Sequence, residues 1–549
     1  MLKKRSELIL RLRRLGFKLI SVCLCAAVIF CGFAGCRGGN SNAKNINWLL
    51  STSPRNLDPQ TASLDSELLI IKNCFSGLFE KNSDGKIISS FVRHYDVSES
   101  GRRYIFYLKP DNMWSIYRDG EAEAYAPVTA HDFEFAVKRV FTDNPNADVM
   151  RVLSDIKNAD KVLSGGDTSL LGISCTDDYT LVIDLEKKNP ALLEAFTSSE
   201  LFPCNEEFFR STSGRYGLSG DLLIFNGSFC LSAWGESSVR LVRNPQSPEK
   251  TVPSGVTLYL PKDSRDPVSL LKDGSIDAAE LSADKMDTLE NASNFTVTQH
   301  TSVVWALVFN SSDPIWSNNA LRSSVLSCTD RTVLSEEKTL HLRPAARLVS
   351  DTAVLFSENY QSLTQNTLTP DFNPESAKKL YSQALTELEK HQLYNTPVLV
   401  PDSALYKDSF SALNQVFQRE LSLYFSPEYL TTQTVLSRVK SGDFSAAVVP
   451  LYITSDTPNS VLEYFSSSSP LCILPITDSR FSENFLKAQE FSNATDAAAA
   501  FAAAEKALYD TALVNPLFYE SSYFVTSNSS SGFMQDQSGT VLFKNVIKK

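Results

Sequence analysis

The sequence predicts an α/β body of several domains, and three observations carry that prediction. The chain has 549 residues, enough for about two to four domains. Stretches with two-residue apolar alternation intermix with stretches of helical period from one end to the other, the pattern of a mixed α/β architecture. Apolar residues make up 43% and charged residues 21%, the balance of a chain that packs a core rather than one that stays disordered.

Each element follows from its local pattern. "INWLLS", from Ile46, reads as a strand. "SLDSELLIIKNCFSGLFE" reads as an amphipathic helix, with Leu68, Ile71, Phe75 and Leu78 at spacings of three and four. "RRYIFYLK" alternates Tyr104, Phe106 and Leu108, as a half-buried strand does. After Pro127, Thr129 is the expected N-cap of a helix with the apolar stripe Phe133, Val137 and Val140. "YTLVIDLE" and "GVTLYLP" are strands, and residues 226–245 read as a hairpin around a glycine-containing turn. "SADKMDTLE" is helical, "VVWALVFNSSD" is a buried strand, and Leu321, Val325 and Cys328 mark a helix. Asn373 caps a further helix with Pro374 at its first position. "DAAAAFAAAEKALYDTAL" is helical by alanine propensity and ends before Asn515-Pro516.

The N-terminus is of another kind. Seven Lys and Arg residues precede an apolar run, Leu19 to Ala34, too short for a spanning helix. Ala34-Gly35-Cys36 follows, then a polar tether. This is the order of a secretory signal. Its end resembles the bacterial lipobox, with Phe33 where leucine is usual, so Cys36 is the expected lipid-attachment residue. Two acyl chains anchor a protein stably. Loss of residues 1–35 removes seven positive charges and one negative, taking the formal charge from −11 to −17. So acidic a body disfavours nucleic acid and anionic lipid as partners. Six further cysteines, Cys74, Cys175, Cys204, Cys230, Cys328 and Cys472, show no CxxC or metal spacing; buried thiols and disulfides are equally compatible with them.

Chemistry-bearing motifs are few. His131, Asp132 and Glu134 fall in the first turn of the helix after Thr129, where acids suit the helix dipole. One histidine beside carboxylates is not a metal site, and HExxH is absent. "SPEK" and "SADK" fit S-x-x-K, but neither SDN nor KTG accompanies them. There is no GxSxG, P-loop or dinucleotide fingerprint. No cofactor, no metal and no catalytic residue is expected.

A series of segments in fixed order resembles one family. "NLDPQ" resembles its LDP element and "SGLFE" its EGL(F/Y)E. "DVSESGRRYIFYLKPDNMWS", followed by Asp119-Gly120 and "PVTAHDFEFAVKR", resembles its central signature. "NGSFCLSAW" with "VRLVRNP", "LLKDGSIDAAEL", "FNSSDPIWSNNALRSSVLSCTDRTVL", "FNPESAKKL" and "SGDFSAAV" continue it. The family is the extracellular solute-binding proteins of peptide-type ABC transporters, oligopeptide- and dipeptide-binding class, and the resemblance covers about residues 46–545.

The resemblance implies a two-lobed periplasmic-binding-protein-like fold, class II or cluster C, with an extra subdomain. It places a lipoprotein signal peptide at 1–35 and a tether at 36–45. Lobe I is expected at 46–80, 206–298 and 515–549, the extra subdomain at 81–205, and lobe II at 299–514. It implies a non-enzymatic, monomeric lipoprotein outside the cytoplasm that captures peptides by hinge closure. Its partners would be ABC permease and ATPase subunits. Asp65, Ser66, Trp305, Tyr452, Thr454 and Asp456 are the implied ligand-binding residues.

Departures from the pattern matter. "IYR" and "EAEAYA" expand the stretch before Pro127, which implies a longer surface loop. The family's ammonium-binding Asp falls at Thr454, a preceding Arg at Val448, and a Gly at Pro450, which has no N–H. Asp456 is an acid two residues further on. Thr454 is a poor partner for a buried ammonium. A modified peptide, a sugar or a metal chelate, or a surface or signalling role without import, therefore stand as alternatives.

Overall fold

A computed structural model describes residues 44–81, 87–144, 149–189, 191–262, 265–286, 288–289, 292–334, 342–356, 358–364, 371–453, 457–469, 471–491, 493–536 and 539–549. The signal segment, Cys36, Thr454 and Asp456 lie outside the described residues. No helix among the described residues is long and apolar enough to cross a membrane.

The principal elements, in chain order, are β1 (Asn45–Leu49), α1 (Asp65–Cys74), β2 (Val92–Val97), β3 (Arg103–Leu108), α2 (Ala130–Asp143), β4 (Ile173–Asp177), β5 (Thr180–Asp184), β6 (Phe229–Trp234), β7 (Ser238–Arg243), β8 (Gly255–Tyr259), β9 (Ala278–Ser282) and β10 (Phe295–Phe309). They continue with α3 (Asn319–Ser327), β11 (Leu342–Pro344), α4 (Pro374–Glu387), β12 (Thr396–Pro401), α5 (Ala404–Leu421), β13 (Phe425–Leu430), β14 (Ala446–Tyr452), α6 (Ala494–Asp510) and β15 (Val514–Ser527).

These build the two-lobed α/β fold expected. In the first lobe one sheet runs β1-β8-β7-β6, and a second runs β2-β3-β5-β4. Both contribute to a single apolar core, in which Trp114, Phe106, Phe133 and Phe225 are essentially inaccessible. A third sheet reaches from the first lobe into the second and runs β9-β15-β10-β14-β12-β13, with β11 added on β15. Strand β12 is parallel to both β13 and β14, and parallel neighbours require crossovers, which α5 and the helix Thr432–Ser441 supply. Alternation sends Val304, Ala306 and Val308 to one face against α6, and Val303, Trp305 and Leu307 to the other against α3, α4 and α5.

Strands β10 and β15 connect the lobes. They pair with each other from Phe295↔Ser527 to Val308↔Val514. At one end β9 pairs β15 and is tied to the first lobe through Asn47, whose N–H donates to Asp277 Oδ2 at 2.8 Å. At the other end β14 pairs β10 from Val303↔Tyr452 onward. The ladder shifts between Thr301 and Val303, a bulge at the crossing itself.

Two expectations need correction. The helix from Asp65 stops at Cys74 rather than running to Leu78. There Gly227 N–H donates to the Cys74 carbonyl at 2.9 Å, and the Asn226 side chain bonds both N–H and C=O of Ser76. A Cβ on Gly227 would lie 2.6 Å from Cys74 backbone, so only glycine permits this approach. The expanded stretch before Pro127 is not a loop: Met113–Arg118 and Glu121–Pro127 pair as an antiparallel ribbon. Asp119 and Gly120 both take positive φ at its tip, the two-residue geometry that matches strand twist.

All six described cysteines are free thiols. Burial pushes those of Cys204, Cys230 and Cys328 up to about 12, so they act as small apolar residues.

Candidate ligand-binding cleft

A cavity of about 750 Å³ opens where β10 and β15 cross between the lobes, within the size range of small-ligand sites. Its first-lobe wall comes from Trp48 and Leu50 at the end of β1, from Asp65 and Ser66 at the start of α1, and from Phe533, Met534 and Asp536 near the C-terminus. The crossing strands supply His300, Thr301, Ser302, Ser522 and Phe524, and Ile453 reaches it just beyond β14.

Local sequence explains why these groups converge. Glu67 folds back to accept from Arg55, Asn56, Ser63 and Leu64 N–H groups, which fixes the loop before α1. Asp65, adjacent, is left exposed at the cavity wall. Ser66 is buried and its Oγ lies 2.6 Å from Thr52 Oγ1. Beneath the crossing, Arg343 bridges Thr301 Oγ1, Ser521 Oγ and Asp351, so its charge is already spent on a carboxylate. The acidic lining residues are Asp65, Glu280 and Asp536. Asp536 is paired with Lys72 at 2.5 Å. No Lys or Arg is among the described residues that line the cavity, so its field favours a cationic ligand.

The expected site residues divide. Asp65 and Ser66 line the cavity. Tyr452, 46% exposed, ends β14 beside Ile453. Trp305 is only 2% exposed, because the Tyr406 ring lies over it with centroids 3.9 Å apart. None of Trp305, Tyr406 and Tyr452 is among the described residues that line the cavity. Pro450 sits opposite Trp305 on β14 and offers no N–H at that position.

Glu520 escaped the sequence reading. It lies across from Val303, which lies across from Tyr452, so the three form one row on one sheet face. Its Oε2 accepts from Trp305 Nε1 at 2.9 Å and from Tyr406 OH at 3.2 Å. Burial and then the Glu520 charge raise both the Tyr406 and Tyr452 phenols, so both hydroxyls stay protonated donors. The one available signal was an acid inside the otherwise uncharged run "LFYESSYF".

The residues around His131 serve other ends. Asp132 accepts from Thr129 N–H, Trp114 Nε1 and Asn205 Nδ2, and so caps α2 from inside the core. His131, Glu134 and Cys175 bring ligand-type atoms within 4.8 Å of one another. Glu134 there already accepts from Lys138 at 2.6 Å and from the Cys175 thiol at 3.1 Å.

Comparison with known proteins agrees with this fold. The family model described as "Bacterial extracellular solute-binding proteins, family 5 Middle" matches residues 86–471. The oligopeptide-binding protein OppA of Bacillus subtilis is 22% identical over 540 residues, 94% of this chain and 96% of that protein. SarA of Streptococcus gordonii, also an oligopeptide-binding protein, is 28% identical over 245 residues, 43% of this chain but only 36% of SarA. Among solved structures, Listeria monocytogenes OppA bound to peptide superposes with TM-score 0.66 at 20% identity, covering 93% of this chain and all of that one. The murein tripeptide binding protein MppA in its unliganded open form gives 0.72 at 19% identity, covering 92% and 98%.

Proposed function

The chain belongs to the bacterial extracellular solute-binding proteins of family 5, and from that premise we propose that it captures peptides between its lobes for an ABC importer. The observation that carries the reading is the cavity at the crossing of β10 and β15, walled by both lobes. Two strands joined by one ladder, with a bulge at the crossing, form a hinge about which one lobe swings over a bound peptide. Peptide binding then shifts the population toward the closed form by its extra affinity for that form.

The finer features belong to the same proposal. Cys36 carries the lipid anchor, residues 1–35 are removed, and the body lies outside the cytoplasm as a monomer that passes its ligand, unaltered, to permease and ATPase subunits. Residues 46–80, 206–298 and 515–549 form lobe I, 81–205 its subdomain, and 299–514 lobe II. The cores support that division in part: subdomain and lobe I share one apolar cluster, and Leu517, Phe518 and Tyr519 of the C-terminal segment pack in the clusters of lobe II.

The test is thermal unfolding of the purified protein with pools of short peptides. A ligand at about 100 times its Kd stabilises a protein by about 2.7 kcal/mol, so at least one pool is expected to raise the Tm. No rise with any pool, together with a rise for a sugar or a metal chelate, would contradict the peptide reading.

A further inference from the structure

We propose that the Glu520 carboxylate, flanked by Tyr406 and Tyr452, is an alkylammonium subsite of the cleft; this rests on the peptide reading above. The argument begins with an imbalance. Glu520 is half-buried, and its only side-chain partners among the described residues are two neutral donors, Trp305 Nε1 and Tyr406 OH. Both bond to Oε2, and no hydrogen bond or ion pair reaches Oε1 among the described residues. The nearby guanidinium of Arg343 lies over Tyr519, on the opposite face of β15, and is paired with Asp351. A partly buried carboxylate gains from a counter-charge that the described residues do not supply. Here one oxygen is locked by two donors, and the other is left for a cation from outside.

The surroundings suit an ammonium. Ser522, one step along the same face of β15, lines the cavity, so Glu520 stands at its edge. Tyr452, exposed across the row, and Tyr406, packed at a tilt over Trp305, offer aromatic faces that attract cations. The Glu520 charge is felt at both phenols. An ammonium donating to Oε1 makes a charge-assisted bond that a neutral, acetylated amine cannot replace. Such a group comes either from a peptide N-terminus or from a lysine side chain.

Retention of peptides on the full mature chain, read by mass spectrometry, tests this. Three randomised tetrapeptide pools serve: lysine-free with free amines, lysine-free and N-acetylated, and lysine-containing and N-acetylated. Wild type is expected to retain the free-amine pool at least about tenfold better than the lysine-free acetylated pool. Glu520→Gln, which keeps an acceptor for Trp305 and Tyr406, is expected to bring that ratio near one. Glu520→Asp, which keeps the charge, is expected to preserve part of the preference, as a purely structural role would not require. Preference for the lysine-containing acetylated pool, lost in Glu520→Gln, supports the subsite and assigns its ammonium to a side chain. Equal retention of all pools, unchanged in Glu520→Gln, overturns the subsite and leaves the peptide reading standing. Retention of no pool by wild type overturns both.

Discussion

A glutamate in the core of the second lobe and a glutamate on the crossing strand β15, at the edge of the cleft, are held in opposite ways. Glu505 is wholly inaccessible and pairs with Arg347 at 2.6 Å. It also accepts from Val349 N–H at 3.2 Å and Tyr360 OH at 3.3 Å, with Tyr509 OH at 3.5 Å. Burial pulls the Arg347 guanidinium down, and the Glu505 charge and hydrogen bond more than restore it. Glu520 has two neutral donors on one oxygen and no cation among the described residues. The first arrangement is complete within the chain and fixes α6 against the segment that follows β11. The second is incomplete, and incompleteness at a cleft edge is what a ligand site requires. Counting partners around each buried acid thus separates architecture from recognition more sharply than burial alone does.

The largest expected effect lies on the architectural side. Arg347→Met strands the buried Glu505 charge and should cost about 3–5 kcal/mol of stability, measured by chemical denaturation. Adding Glu505→Leu should recover most of that loss, because a well-packed apolar pair replaces a buried ion pair at little cost. If Arg347→Met unfolds no more easily than wild type, the contrast between the two acids fails. On the recognition side, Glu520→Gln should leave the denaturation midpoint close to that of wild type while abolishing amine discrimination. The smallest effect belongs to Tyr406→Phe. It removes one of the two donors to the Glu520 carboxylate, a bond to a charged group worth about 1.5–3 kcal/mol, but leaves the charge in place, and should weaken the preference for free amines without erasing it.

Much of this architecture was legible because periodicity reports burial. The alternation of "RRYIFYLK" and the stripe of Phe133, Val137 and Val140 each became the buried face expected. Helix ends were less legible. The stop at Cys74 depends on Asn226 and Gly227, remote in sequence, and no local pattern announces that contact. The ribbon at 113–127 has only short alternation, and its turn signal was the Asp119-Gly120 pair inside an apparent insertion.

The site divides along the same line. Asp65 and Ser66 follow a recognisable segment, and the start of α1 puts them at the cavity. Glu520 could not be found that way, because its meaning comes from Trp305 across β10 and from Tyr406 on α5, a helix distant in sequence. Recognition here is assembled at a strand crossing, where residues from three parts of the chain meet.

The most direct measurement is a structure of the protein with a retained free-amine peptide. The account predicts the peptide in the cavity at the β10–β15 crossing, with its ammonium nitrogen about 2.7–3.2 Å from the free Glu520 oxygen. A peptide bound elsewhere, or one in the cavity with its ammonium directed away from Glu520, would contradict it.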